Sequence, residues 1–339
     1  FDLLLLDLGL PGADGFPVLD QLRENGWLHL TPVIVVTGRT GIQHAVRSIE
    51  AGAEDFLSKP VEIELLRARV NSCLEKKRLR EQEFTQFFPR QLARQFARHP
   101  DLREMDGKLA DVSVLFCDIR GFSRISERAG ADLTVKWLRS VMEALSACVL
   151  DQEGVLVDYA GDEIMAMWGA PVEVEDHAVR ACETALRMLR ILPELDNVWG
   201  QEIGAITNVG IGVNSGVALV GNVGTSRKFK YGPLGNEVNL ASRVQGATRH
   251  LNSDILISSG TRKRLPKSWH PELLRRLCTV RVHNIMEPVE LYELVSPNLP
   301  DWTELRAQYE DALDNFEDGH FRRASAALAN LMMRFPDDG

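Results

Sequence analysis

Val112 to Ser123 reads VSVLFCDIRGFS, and the rest of the chain is organised around this stretch. Val112, Val114 and Phe116 alternate with Ser113, Leu115 and Cys117, the pattern of a buried strand, and the strand stops at a carboxylate, Asp118. Gly121 then frees the backbone to turn, and Phe122-Ser123 opens a long helical pattern. A carboxylate at a strand end, beside a helix N-terminus with free N–H groups, suits a metal ion and a phosphate chain together. Strands also end in Asp simply because Asp favours turns, so a second signal is needed.

The second signal is another carboxylate. Val155 to Ala160 alternates like a strand, Gly161-Asp162 supplies a tight turn, and Glu163 to Trp168 returns as an apolar strand. Asp162 therefore sits at a hairpin tip, where a neighbouring strand end can deliver Asp118 beside it. Two carboxylates with no nearby Lys repel each other, and a divalent metal is the economical explanation. Two such ions beside a triphosphate lower the pKa of an attacking hydroxyl and screen the leaving charge.

The third element is KYGPLGNEVNLASRVQ, Lys230 to Gln245. Gly232, Pro233 and Gly235 read as a turn, with Asn236 as cap of the helix that follows. Asn239 and Arg243 stand four apart on that helix and project from one face. A guanidinium suits phosphoryl oxygens in an anionic transition state and an amide suits a sugar. Either residue alone reads equally as part of a solvated stripe.

With these residues in place the chain resembles the class III nucleotidyl cyclases, which make cyclic AMP or cyclic GMP. The resemblance runs from about Asp111 to Val295 and rests on LFCDIRGFS, DYAGDEIMAMWGAP, VGIGVNSGVALVGNVG and YGPLGNEVNLASRVQGAT, in order. It implies that Asp118 and Asp162, with the Ile119 carbonyl, hold two Mg²⁺ or Mn²⁺ ions. It implies that Asn239 and Arg243 form the transition-state pair and that Gly121, Phe122 and Ser123 lie at the substrate. In that family the metal pair and the Asn/Arg pair of one site come from different subunits, so a head-to-tail homodimer is implied.

Base selectivity departs from the family's adenylyl pattern. Adenylyl cyclases usually carry Lys where Asp158 stands, and Asp or Thr where Gly232 stands. Guanylyl cyclases carry an acid at the first position and a small residue at the second. Guanine offers two donors to a carboxylate, whereas adenine N1 is an acceptor that a carboxylate repels. GTP is the favoured substrate on this reading, with ATP the alternative. The family's triphosphate lysine falls on His283, and Arg281, expected on the same strand face, is the candidate to compensate.

The whole chain has 339 residues, enough for two or three domains. Its net charge of −9 argues against general nucleic-acid binding. Cys73, Cys117, Cys148, Cys182 and Cys278 are scattered in mostly apolar runs without a CxxC, so they read as small core residues in a reducing compartment. No run approaches the ~20 apolar residues of a membrane span, and no signal peptide is recognisable. The expectation is a cytoplasmic protein with no direct membrane insertion.

Residues 1–61 alternate strands with helices, the pattern of a parallel sheet with functional residues at strand C-termini. Asp7, Thr37 and Lys59 fall at such ends. LLLLDLGLPGADG, VIVVTG and DFLSKP resemble the receiver domain of two-component response regulators. That resemblance implies Asp7 as phospho-acceptor, Thr37 and Lys59 as the switch residues, and an upstream histidine kinase or phosphotransfer protein as partner. The family's first strand and helix, with an acidic Mg²⁺-binding pair, would precede Phe1. The expectation is a truncated domain, inefficiently phosphorylated.

Residues 62–105 read as a helical linker, with Leu66, Val70 and Leu74 on one face of a helix from about Glu62 to Phe88. A parallel dimeric coiled coil and a helix packed on one domain are both open. Pro89 and His99-Pro100 punctuate the region before a cyclase domain over 106–296. That domain reads as strand, one long helix (about Ser123 to Leu150), hairpin, helix (about Glu175 to Leu192), strand (Thr207 to Asn214) and short strand (Val217 to Gly221), with the Asn239/Arg243 helix next. This βαββαβ order is ferredoxin-like. The glycines of 210–224 lack the strand–GxGxxG–helix context and read as edge-strand turns. Residues 300–339 resemble one tetratricopeptide-type hairpin, which must dock on the cyclase, pair with another subunit, or be cut short.

The fold class is thus α/β and α+β: a partial doubly wound receiver, a helical linker, a ferredoxin-like cyclase domain and a C-terminal helical hairpin. The function read from it is a phospho-regulated nucleotidyl cyclase. The rival is a weak or inactive nucleotide-binding scaffold that keeps the cyclase fold.

Overall fold

The protein is described by a computed structural model covering residues 1–9, 15–25, 27–29, 31–38, 42–87, 107–225, 228–281, 287–297, 301–336 and 338. The chain divides into two compact units, Phe1–Asp106 with Thr225–Phe229, and Gly107–Gly224 with Lys230–Gly339.

In the first unit, three short strands form a parallel sheet in chain order, β1 (Leu4–Asp7), β2 (Val33–Thr37) and β3 (Asp55–Ser58). Parallel pairing needs crossovers, supplied by α1 (Phe16–Glu24) and α2 (Ile42–Glu50). Leu6, Leu8, Phe16, Leu19, Val33 and Val35 make one core, and Ile34, Leu57 and Cys73 make another on the opposite face. Leu66 and Val70 of α3 (Ile63–Phe87) pack onto that second core. The apolar stripe set against a coiled-coil reading is therefore used on its own unit in its first turns. Residues 11–14 and the linker residues 88–105, with Phe88, Pro89, His99 and Pro100, lie outside the described residues.

The second unit is an eight-stranded sheet with the order β10-β11-β9-β7-β4-β6-β5, and β8 pairs with β7 off this path. Its members are β4 (Lys108–Ile119), β5 (Val155–Ala160), β6 (Glu163–Trp168), β7 (Val209–Thr225), β8 (Lys228–Leu234), β9 (Ile255–Ser258), β10 (Leu274–Val280) and β11 (Val289–Leu294). Within it, β7-β4-β6-β5 is antiparallel and has the spatial order of a ferredoxin-like βαββαβ unit. Alternation along β4 divides its side chains between two faces. Leu115, Cys117 and Ile119 join Val209, Ile211 and Val213 under the helices α5 (Ala131–Asp151) and α6 (His177–Ile203). Phe116 and Asp118, opposite Gly212 and Gly210, take the other face, where α7 (Asn236–His250) lies.

Several expected boundaries are corrected. The helix expected from Ser123 to Leu150 is two, α4 (Phe122–Ala129) and α5, because Gly130 between them adopts φ 78°, a conformation that breaks the helix. The helix expected to stop at Leu192 continues through Pro193 to Ile203, since Leu192, Leu195 and Ile203 on both sides of the proline are held in the core. The two strands expected over Thr207–Asn214 and Val217–Gly221 are one, β7, kept continuous by pairing with β4 from Lys108↔Val220 to Ile119↔Val209. Its glycines are not turns. A Cβ at Gly212 would stand 2.1 Å from the backbone N of Gln245, and one at Gly210 would stand 2.4 Å from Thr248 Oγ1, so they let α7 close onto the sheet.

The C-terminal helices α8 (Ser259–Arg264), α9 (Trp302–Glu317) and α10 (Phe321–Arg334) complete the unit. Of the three fates open to the hairpin, the structure shows docking on the cyclase sheet. Trp302 Nε1 donates to the Glu272 carbonyl at 2.7 Å and Tyr309 Oη donates to the Leu277 carbonyl at 2.9 Å. Buried Arg275 lies over both rings and bonds Glu293 and Asp338. Among the described residues no helix is long and apolar enough to cross a membrane.

Candidate active site

Asp118 is the penultimate residue of β4, directly opposite Glu163 on β6 and Gly210 on β7. Asp162 occupies the turn joining β5 to β6, where Gly161 takes φ 69°. The sheet order places β6 beside β4, and so the hairpin tip delivers Asp162 beside Asp118. Burial and the Asp118 charge push the Asp162 carboxyl up to about 6. Burial, then the same two charges, also raise Glu163.

Sequence reading placed no cation beside this pair. The structure does: Arg249, in the last turn of α7, donates from Nη2 to Asp118 Oδ2 at 2.5 Å. The two residues are 131 positions apart, and no local signal joins them. The donor chemistry fits a divalent ion, because two hard carboxylate ligands lie together and a single arginine offsets only part of their repulsion. Among the described residues no group of three or more His, Cys, Asp and Glu side chains is arranged to hold a metal, so the donors here are a carboxylate pair. Ile119 is wholly buried at the end of β4, leaving its backbone as its only polar resource.

The turn after Asp118 is built from Arg120 and Gly121. Arg120 is spent on structure, donating from Nη2 to the Ser253 carbonyl at 2.6 Å and from Nε to the Val209 carbonyl at 3.1 Å. Gly121, at φ 70°, precedes α4. The half-buried Phe122 ring stacks on Trp137 with centroids 6.0 Å apart. Ser123 is exposed, and its carbonyl accepts from Ser126 Oγ at 2.8 Å.

Asn239 and Arg243 are both exposed on α7, while Ala241, Val244, Gln245 and Thr248 bury its other side. Glu237 fixes the start of this helix: Asn214 Nδ2 donates to its carboxylate at 2.7 Å, and Ser258 Oγ donates to Asn214 Oδ1 at 2.5 Å. Gly216 makes the space, since its Cβ would stand 2.4 Å from Glu237 Oε2. Asn236 is not the cap; Gly235, at φ 117°, precedes the helix and no side chain caps it. Nor do Gly232 and Pro233 turn, for both lie within β8. Among the described residues, no hydrogen bond or ion pair joins Asn239 or Arg243 to Asp118 or Asp162.

Asp158 follows a register shift in β5, and its Oδ2 accepts from Lys230 Nζ at 2.5 Å, a second partner that sequence reading missed. Gly232 is buried, with Val157 where its Cβ would lie. Arg281 is exposed beyond the end of β10 at Val280, so the strand alternation expected to align it with His283 does not reach it. His283 lies outside the described residues. His177 is buried at the start of α6 with Nδ1 2.8 Å from Ser113 Oγ, and burial lowers its pKa.

In the first unit Asp7 and Lys59 meet at the C-terminal ends of the parallel strands, Nζ to Oδ2 at 2.5 Å. That ammonium and then the Gly9 N–H, 2.9 Å from Oδ1, hold the Asp7 carboxyl below its ordinary value. Thr37 ends the central strand fully buried, and its carbonyl accepts from the Lys59 N–H at 2.8 Å. The three residues thus end adjacent strands, as expected for a parallel sheet.

Comparison with known proteins agrees with this layout. Residues 105–282 match the adenylate and guanylate cyclase catalytic domain, and residues 1–71 match the response regulator receiver domain. Adenylate cyclase 1 of Rhizobium meliloti (strain 1021) is 26% identical over 212 residues, 62% of this chain and 31% of that protein. The response regulator protein PmrA of Pseudomonas aeruginosa is 43% identical over 72 residues, 21% of this chain and 32% of that protein. The chain thus spans about a third of the length of these two curated relatives. Among solved structures, the adenylyl cyclase CyaB from P. aeruginosa superposes with a TM-score of 0.52 at 28% identity, covering 57% of this chain and 98% of that one. The guanylyl cyclase Cya2 does so with 0.52 at 29% identity, covering 58% and 97%. With more than half its length matched, the chain belongs to the adenylate and guanylate cyclase catalytic domain family, preceded by a response regulator receiver domain.

Proposed function

We propose that this chain converts a purine nucleoside triphosphate, GTP in preference to ATP, into the 3′,5′-cyclic monophosphate and pyrophosphate. The observation that carries the reading is the placement of Asp118, at the end of β4, beside Asp162, in the β5–β6 turn, on the α7 side of the ferredoxin-like sheet. Asp118 and Asp162, assisted by the Ile119 carbonyl, would hold two Mg²⁺ or Mn²⁺ ions. Bound there, the ions supply Lewis acidity to the ribose 3′-hydroxyl and screen the phosphate charge. The 3′-hydroxyl loses its proton to solvent, its oxygen bonds to the α-phosphorus, the bond to the bridging oxygen breaks, and pyrophosphate leaves.

The other roles are those the cyclase resemblance implies. Asn239 orients the ribose and Arg243 stabilises the charge on the α-phosphate oxygens. Backbone N–H groups of Gly121, Phe122 and Ser123 take the phosphate chain, with Arg281 and His283 as further ligands. Asp158 reads the base beside Gly232. Among the described residues nothing links Asn239 or Arg243 to the carboxylates, and the family resemblance adds a head-to-tail homodimer with each site shared between two subunits. Asp7 takes a phosphoryl group from an upstream histidine kinase or phosphotransfer protein, with Lys59 and Thr37 responding, and the dimer geometry follows.

The test is a cyclase assay on the full chain. ATP and GTP are offered separately with Mg²⁺ or Mn²⁺, and Asp118→Ala serves as the blank. Cyclic nucleotide that disappears in the variant is expected. No product from either nucleotide, in a protein shown to be dimeric, overturns the reading in favour of a nucleotide-binding scaffold.

A further inference from the structure

Lys230 precedes Gly232 by two residues on β8, so both project to one side of the strand, while Tyr231 between them is buried on the other. A Cβ at Gly232 would come 2.5 Å from Val157 Cγ1. That approach excludes any side chain at the second of the two positions that face the base. Lys230 reaches the same place from one step earlier and donates to Asp158 Oδ2 at 2.5 Å. The pair is open, with 49% of the lysine and 44% of the aspartate side chain exposed. Surface ion pairs of this kind add little to folding stability, so stability gives no reason for the pairing.

We infer that Lys230 is a specificity-determining residue, which with Asp158 presents a cationic donor beside an anionic acceptor and so admits adenine as well as guanine. The inference rests on the cyclase reading and on Asp158 facing the base. A bare carboxylate accepts from guanine N1–H and its exocyclic amine but opposes the lone pair of adenine N1. A lysine beside it donates to guanine O6 or, equally, to adenine N1, while the carboxylate accepts from the adenine amine. Guanine therefore gains three contacts from the pair and adenine two. Removing the lysine costs guanine one contact; it costs adenine one contact and restores the repulsion. The carboxylate is pre-oriented for this, since Asp158 Oδ1 already accepts from the Tyr159 N–H at 3.0 Å. The Tyr159 ring is anchored in turn by its hydroxyl, 2.8 Å from Ser146 Oγ.

The experiment measures kcat/KM for ATP and for GTP on the full chain, as wild type, Lys230→Met, Lys230→Arg and Asp158→Ala. Lys230→Met should raise the GTP-to-ATP ratio about tenfold, and Asp158→Ala should move it the other way. Lys230→Arg, which keeps a cationic donor, should hold the wild-type ratio. Equal losses with both nucleotides in Lys230→Met overturn the inference. If the wild type forms no product, calorimetric affinities for 3′-deoxy-ATP and 3′-deoxy-GTP, which cannot cyclise, decide it. The same shift in their ratio then supports Lys230 while counting against the cyclase reading, and an unshifted ratio overturns the Lys230 inference.

Discussion

Arg249 Nη2 stands 2.5 Å from Asp118 Oδ2, the two brought together by the packing of α7 on the sheet face that carries Asp118. The contact offsets part of the repulsion between Asp118 and Asp162, and a divalent ion must compete with it. The arginine is 58% exposed, so the pair is worth no more than about 1 kcal/mol, a severalfold effect on binding. Arg249→Gln is therefore expected to bind Mn²⁺ severalfold more tightly, read by calorimetry or by the loss of free-ion paramagnetic resonance. Unchanged affinity would show that guanidinium and metal do not share Asp118.

Asp162 carries a pH prediction whose sign follows from its raised carboxyl. The ordinary value is 3.8 and the folded value about 6, so between them the folded state holds the proton more tightly than the unfolded chain. The stabilisation is fully present below 3.8 and is lost as pH rises through about 6. Thermal melts of the metal-free protein should fall across that window, whereas Asp162→Asn should flatten this part of the profile. Mn²⁺ binding should run oppositely, weakening as pH drops below about 6, because the ion needs the carboxylate.

What the sequence made legible and what it hid divide along a physical line. Asp118 and Asp162 were readable because a strand end and a hairpin tip are local patterns, and the ferredoxin-like order then makes the two strands neighbours. Arg249 and Lys230 were not, because an ion pair between side chains 131 or 72 residues apart leaves no local pattern. Lys230 had one faint signal, its two-residue spacing from Gly232 on a strand. Gly130 was the helix break that periodicity overran, and Pro193 was the break that tertiary packing overrode. The glycines of β7 misled most: read as turns, they are the floor on which α7 sits.

That floor yields the third prediction. Gly212→Ala would drive a Cβ against the Gln245 backbone N at 2.1 Å, and backbone cannot swing aside as a side chain can. The helix must lift from the sheet, costing about 1–3 kcal/mol and shifting Asn239 and Arg243 with it. Denaturant melts should show the loss, and kcat should fall more than the KM for nucleotide rises. Gly246→Ala, on the exposed side of α7 with nothing within 4 Å of the added methyl, is the control: it should leave kcat and KM unchanged and, as Ala for Gly in a helix interior, stabilise by about 1 kcal/mol or less.

Arg275 on β10 should behave as the lock between the cyclase sheet and the C-terminal hairpin. Only 2% of its side chain is exposed, and it bonds Glu293 at 2.6 Å and Asp338 at 2.7 Å while lying over the rings of Trp302 and Tyr309. Burial raises the Glu293 carboxyl even with the arginine beside it, so this carboxylate depends on its partner. Arg275→Ala leaves Glu293 buried and unpaired and is expected to cost about 3–5 kcal/mol. Arg275→Met with Glu293→Gln removes both charges and restores apolar volume, and it should recover much of that loss. Urea unfolding of the two variants separates the cases: equal destabilisation would mean that the guanidinium's own bonds, which both variants lose, hold the hairpin down, and not relief of an unpaired Glu293 charge.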